Sequence, residues 1–62
     1  MLITYVYRVG FNYIPGTIVI HDLSPAATEY DIKNLICIQL RDQTNKCFCV
    51  YDIEILGMKR TA

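Results

Sequence analysis

Three cysteines and one histidine are the residues of this chain that could bind a metal ion: Cys37, Cys47, Cys49 and His21. Together they could form a Cys₃His zinc site, because side chains two apart in a strand, such as Cys47 and Cys49, point the same way. Structural zinc sites, however, usually place a Cys-x₂₋₄-Cys pair on a turn. Burial as small apolar side chains is the simpler interpretation of these cysteines, so we expect neither a metal nor another cofactor.

The sequence does not contain a persuasive set of catalytic residues. His21 has the carboxylate of Asp22 beside it, but no serine or cysteine is placed to serve as its nucleophile. Asp52 and Glu54 lie two residues apart, a spacing more typical of the solvated side of a strand than of an acid–base pair. We therefore predict that the protein is not an enzyme and has no catalytic residues.

Aromatic residues near the N-terminus are the candidates for partner binding: Phe11, Tyr13, Tyr5 and Tyr7, with Arg8 among them. Phe11 and Tyr13 fall between two predicted strands, where burial is difficult, and aromatic residues are enriched in protein interfaces. Tyr5 and Tyr7 would share one strand face, where they could stack on single-stranded bases or, equally, lie in the core under a helix. Arg8 is the one positive charge close to them, whereas a nucleic-acid surface should be basic.

The composition favours association with protein. Of the 62 residues, 53% are apolar, and a chain this short buries only about 60% of its unfolded surface, so some apolar side chains should stay exposed. Six basic and six acidic residues give zero net charge, which argues against nucleic acid and acidic membranes. The odd number of cysteines and the lack of a visible signal peptide predict a cytoplasmic protein. No apolar run reaches the ~18 residues of a membrane span. We expect one domain over residues 1–62.

Two strands are predicted at the start of the chain. The segment LITYVYRV, residues 2–9, is rich in β-branched and aromatic residues and has large apolar groups on both faces, as in a central strand. Residues 10–16 contain Gly10, Asn12 and the pair Pro15-Gly16, which are typical of a connection. Residues 17–21, TIVIH, form the second strand, and the short connection predicts an antiparallel hairpin.

A helix should follow, capped by Thr28 with Asp31 at the third helical position. The apolar stripe of this helix has the spacing i, i+3, i+4, i+8 and consists of Ile32, Leu35, Ile36 and Leu40. Residues 35–41 also alternate between apolar and polar, so a strand is the alternative there, but the cap and the stripe together favour the helix.

The remaining elements complete a ββαβ layout of the α+β class. Residues 47–56, CFCVYDIEIL, are predicted to be the last strand, with the side of Cys47 and Ile53 facing the helix, and residues 57–62 a frayed tail. A right-handed crossover gives a three-stranded sheet of order 2-1-3 with one helix on one face. The pattern leaves open which face the helix covers.

The run YVYRVGFN, followed by GTIVI, TEYDIKNLI and an apolar final strand, resembles small uncharacterised proteins of phages and prophages. Gly10, Phe11 and Asn12 match part of a Gly-Phe-Gly-Asn-type hairpin in that group, although the second glycine is missing here. Asp31 and Ile32 match the Glu-Asp-Ile-like start of its helix. The resemblance implies a ββαβ fold and an origin in a mobile element, and small phage proteins often act by binding host proteins.

These observations predict a non-enzymatic protein-interaction module, encoded by a phage, that modulates or inhibits a host protein. Two alternatives stay open. One is a small homodimeric structural protein, in which the exposed apolar surface binds a second copy. The other is a weak binder of single-stranded nucleic acid that uses the aromatic residues of the sheet.

Overall fold

The structure is a computed structural model and describes residues 1–60. Strands β1 (Leu2–Val9) and β2 (Asn12–Val19) form a hairpin, helix α1 (Glu29–Thr44) follows, and a 3₁₀ turn (Val50–Asp52) leads into strand β3 (Ile53–Lys59). The sheet has the order β2-β1-β3, and β1 is antiparallel to both neighbours. The predicted ββαβ layout of the α+β class is therefore confirmed.

The hairpin is tighter than the sequence predicted. Val9 pairs with Asn12, so the loop has two residues, and Gly10 has φ +62° at its first central position, where type II′ turns require glycine. Most of residues 10–16, expected to be a connection, belong to β2, which ends at Val19 rather than His21. Pro15 suggested a break, but β2 is an edge strand, where proline is tolerated.

The helix begins where the capping signal placed it. The Oγ1 of Thr28 accepts a hydrogen bond from the backbone N–H of Asp31 at 3.2 Å, and the Asp31 carboxylate accepts one from the Thr28 N–H at 2.9 Å. The helix continues to Thr44 and ends at Asn45, which adopts the left-handed conformation with φ 59°. The alternative strand over residues 35–41 is therefore wrong.

The third strand begins later than predicted. Residues 47–49 are irregular, and Asp52 closes the 3₁₀ turn by accepting a hydrogen bond from the Cys49 N–H at 3.4 Å. β3 then extends through residues 57–59, which were expected in the frayed tail, while residues 61–62 of that tail lie outside the described residues. A bulge at Leu56 shifts the register of β3 against β1. Local sequence does not specify such a bulge, because the extra residue is placed by the pairing with β1.

The helix covers the face of the sheet that carries Ile3, Tyr5 and Ile53. These side chains form the buried core together with three residues of the helix: Ile32, Ile36 and Leu40. Leu35, predicted in the same stripe, is 41% exposed. The reason is that α1 packs mainly against β3 and the 3₁₀ turn and leaves the side next to β2 open.

Tyr5 fills the space that Gly16 leaves on β2. A Cβ atom at Gly16 would lie 2.7 Å from the Cζ of Tyr5, closer than carbon atoms approach in proteins. On the other side of the ring, the Nε2 of Gln39 donates to the Tyr5 hydroxyl at 3.5 Å and to the Thr17 carbonyl at 3.3 Å. Tyr5 thus connects β1, β2 and the helix.

We expect Gly16→Ala to lower the free energy of unfolding by about 1–3 kcal/mol, because the enclosed Tyr5 ring cannot move away from the new methyl group. Gly57→Ala is the matched control, since a Cβ there meets nothing within 4 Å, and it should change stability by about 0.5 kcal/mol or less. Urea unfolding of both variants measures the difference. Equal stability of the two variants would contradict this account of Tyr5.

Stability should also fall at high pH because of Tyr5. Burial raises the pKa of Tyr5, the neighbouring Tyr7 adds to the rise, and the hydrogen bond from Gln39 opposes it. The stability contributed by protonated Tyr5 is fully present below pH 10.0, the ordinary tyrosine pKa, and is lost as the pH rises through the folded-state pKa. Urea unfolding at about pH 8 and about pH 11 should show a larger loss for the wild type than for Tyr5→Phe. Equal losses would contradict this assignment.

Candidate interaction surface

The hairpin tip, residues 10–13, projects an apolar side chain into solvent. Phe11 occupies the second central position of the turn and is fully exposed, at 103% of its reference area. Tyr13 is 63% exposed. Tyr13 lies in β2 rather than in a loop, so its position is fixed by pairing with β1.

The side of the sheet opposite the helix forms a second exposed surface. Residues paired across antiparallel strands point to the same side, so the register identifies every member except the bulged Leu56, which is placed there by its alternation with Ile53 and Ile55. We call this surface the open sheet face; it consists of Leu2, Thr4, Val6 and Arg8 on β1, Tyr13, Pro15, Thr17 and Val19 on β2, and Glu54, Leu56, Gly57 and Lys59 on β3. Leu56 is 59% exposed, and the surface mixes apolar groups with Thr, Arg, Glu and Lys side chains.

Arg8 connects the open sheet face to the turn before β3. Its guanidinium lies 3.3 Å from a carboxylate oxygen of Asp52, and Tyr13 is its partner in register on β2. Asp52, expected on a solvated edge, is half-buried and also accepts from the Cys49 backbone. An exposed ion pair of this kind adds little stability, and it holds the guanidinium on the β3 side of β1.

Two of the predicted partner-binding residues lie on the side of the sheet that the helix covers. Tyr5 is 1% exposed beneath the helix. Tyr7 is half-buried, and its ring packs edge-on against Phe48 with 5.3 Å between centroids. The prediction that Tyr5 contacts a partner is therefore wrong, and so is a base-stacking platform that needs both rings. Contact of Tyr7 with a partner stays a prediction, because Tyr7 is only half-buried.

The metal-ligand candidates are only partly brought together. Cys47 and Cys49 are exposed in the segment before the 3₁₀ turn, and Cys37 is half-buried on the helix. Cys37 and Cys47 line one hollow and Cys49 is close to Cys37, whereas His21 lines other hollows. In residues 1–60, no three His, Cys, Asp or Glu side chains form a group able to hold a metal ion. The alternative of a Cys₃His site with His21 is thus not formed, since residues 47–49 are not the strand on which that hypothesis depended.

A hollow of about 340 Å³ lies between the hairpin and the end of the helix. Its lining combines aliphatic and aromatic side chains with one cation: Tyr7, Val9, Ile14, Phe48 and Lys46, together with Thr44 and Cys47. The sequence does not indicate this hollow, because residues 47–48 are predicted as part of a strand. Leu56 was not named as a candidate, although its alternation with Ile53 and Ile55 places it on the side away from the helix.

The described part of the chain contains no helix that combines the length and apolar character needed to cross a membrane.

The three thiols should differ in reactivity. Burial raises the pKa of Cys37, and the nearby Cys49 and Asp52 add to the rise. Because the thiolate is the reactive form, we expect iodoacetamide at about pH 8 to modify Cys47 and Cys49 roughly tenfold faster than Cys37. Mass spectrometry of digested samples measures the three rates. In urea the rates should converge, and equal rates in the folded protein would contradict the half-buried position of Cys37.

Comparisons of the chain with protein-family models, with curated proteins and with solved structures found no match.

Proposed function

We propose that this protein is a non-enzymatic protein-interaction module whose contact surface is the hairpin tip together with the open sheet face. The observation that carries the proposal is the complete exposure of Phe11 at the end of the hairpin. Aromatic side chains that are exposed in the free protein and enter a partner's pocket commonly supply much of the binding energy in protein interfaces.

The turn itself gives no reason for a phenylalanine. A type II′ turn requires glycine at its first central position, and Gly10 meets that requirement. The second position accepts many residues, and a polar side chain would be better solvated there. Phe11 therefore adds apolar surface that the fold does not use, and Tyr13, also exposed, extends this surface along the same end of the hairpin.

The partner that we propose is a host protein, and the role is its modulation or inhibition in the cytoplasm. The resemblance to small phage proteins supports the host partner by analogy. The unpaired cysteines, Cys37, Cys47 and Cys49, support a reducing compartment. Zero net charge favours a partner that is neither strongly acidic nor strongly basic.

The proposal is tested by the double substitution Phe11→Ala and Tyr13→Ala. We expect this variant to keep the circular-dichroism spectrum of the wild type but to lose the proteins that immobilised wild type captures from lysate of the source cells. Removing two exposed aromatic anchors should weaken such binding at least about tenfold. Quantitative mass spectrometry of the captured proteins gives the comparison.

Tyr30→Ala is the matched control. Tyr30 is 60% exposed in the first turn of the helix, and this turn lies beside Met1 and Met58, at the end of the sheet opposite the hairpin tip, so its removal should leave capture unchanged. Retained capture by the folded double variant, or an equal loss with Tyr30→Ala, would rule out the hairpin tip as the contact site.

A further inference from the structure

Three of the four rows of the open sheet face are symmetric about the row of Thr4, which we call the middle row. Thr17 of β2 and Gly57 of β3 are the partners of Thr4 in register, and the fourth row, Arg8 with Tyr13, lies outside this symmetry. Leu2 and Val6 lie two residues to either side of Thr4, each ~6.8 Å away along the strand. A second copy turned over about an axis that crosses the strands at Thr4 would place its Leu2 above Val6. The exposed Leu56, which bulges beside Gly57, would then meet Leu56 of the other copy near the axis, with the two sheets ~10 Å apart, the usual packing distance.

The charges on β3 follow the same symmetry. Glu54 pairs with Val6 and Lys59 pairs with Leu2, so opposite charges lie on opposite sides of the middle row. Glu54 and Lys59 are five residues apart in sequence, but the bulge at Leu56 aligns them with positions four apart on β1. The rotation about Thr4 therefore places Glu54 of each copy above Lys59 of the other. A symmetric interface must be self-complementary in this way.

The edges of the sheet are less suitable for a second copy. β2 contains Pro15, which has no backbone N–H to donate, and β3 contains the bulge at Leu56. Both features are used by proteins to prevent strand addition at a sheet edge. Zero net charge means that copies of this chain do not repel one another.

We infer that the open sheet face binds a second copy of this chain about a two-fold axis through Thr4, with Glu54 of each copy paired to Lys59 of the other. The three rows that overlap in the two copies measure ~14 by ~17 Å, so the interface is small and the dimer is weak. The dimer points its two hairpin tips in opposite directions. This inference rests on the proposed function, because it assigns the open sheet face to a second copy and leaves the hairpin tip to the host protein.

Charge reversal provides the test. Glu54→Lys alone places the introduced ammonium group near Lys59 of the other copy at both ends of the dimer, and Lys59→Glu alone places two carboxylates together. Each variant alone should dimerise roughly tenfold or more weakly than the wild type, because like charges oppose each other across the interface. An equimolar mixture of the two variants should regain wild-type affinity, since every facing pair is then of opposite sign.

Sedimentation velocity over a concentration series measures these affinities, with reductant to exclude disulfides through Cys47 or Cys49 and at roughly 50 mM salt to limit screening. Recovery in the mixture also shows that each variant is folded. A wild type that stays monomeric to millimolar concentration would overturn the inference. So would a dimer whose affinity is unchanged by both reversals, because it would use an edge strand or another surface.

Phe11→Ala separates this inference from the proposed function. It should dimerise like the wild type and lose capture of the partner protein. Loss of dimerisation in the charge variants with capture retained supports two separate surfaces. A monomeric wild type that still captures its partner through Phe11 overturns the inference and leaves the proposed function standing.

Discussion

The ring of Tyr5 connects the hairpin to the helix. It lies over Gly16, the one place on β2 where a missing side chain leaves room for it, and Gln39 donates to its hydroxyl from the helix. The helix packs closely against β3 and the 3₁₀ turn. The position of β2 relative to the helix depends on this ring, on the hydrogen bond from Gln39 to the Thr17 carbonyl and on Ile18, which packs against the core.

Because the helix packs on one face of the sheet, that face forms the core and the other face is exposed to solvent. Six of the residues that the structure describes are buried, all of them apolar or aromatic, which is the thin core expected of so short a chain. In β1, the bulkier residues Ile3 and Tyr5 point toward the helix and are buried. Leu2, Thr4 and Val6 alternate with them and lie on the open sheet face. A single helix cannot cover both faces, so the second set stays available for contacts with protein.

The sequence predicted the features that depend on neighbouring residues. It did not predict the features that depend on how the strands pair. Thr28 and Asp31 located the start of the helix because capping involves residues three apart, and the order of the strands followed from short connections. Pro15 misplaced β2, because proline signals a break unless the strand is known to be at an edge. The bulge at Leu56 and the burial of Tyr5 depend on contacts between distant segments. The fully exposed Phe11 was found because a short connection offers nothing to bury it.

Exposure alone does not distinguish a contact residue from an ordinary surface residue, and Phe11 and Tyr51 show the difference. Tyr51 is nearly as exposed as Phe11, but the hydroxyl on its ring can form hydrogen bonds with water. Phe11 has no polar atom, so its exposure is unfavourable without any compensation. Pro15 and the bulge at Leu56 make both sheet edges poor templates for strand addition. For this reason the contact surface that we propose consists of the hairpin tip and the open sheet face and not of a sheet edge.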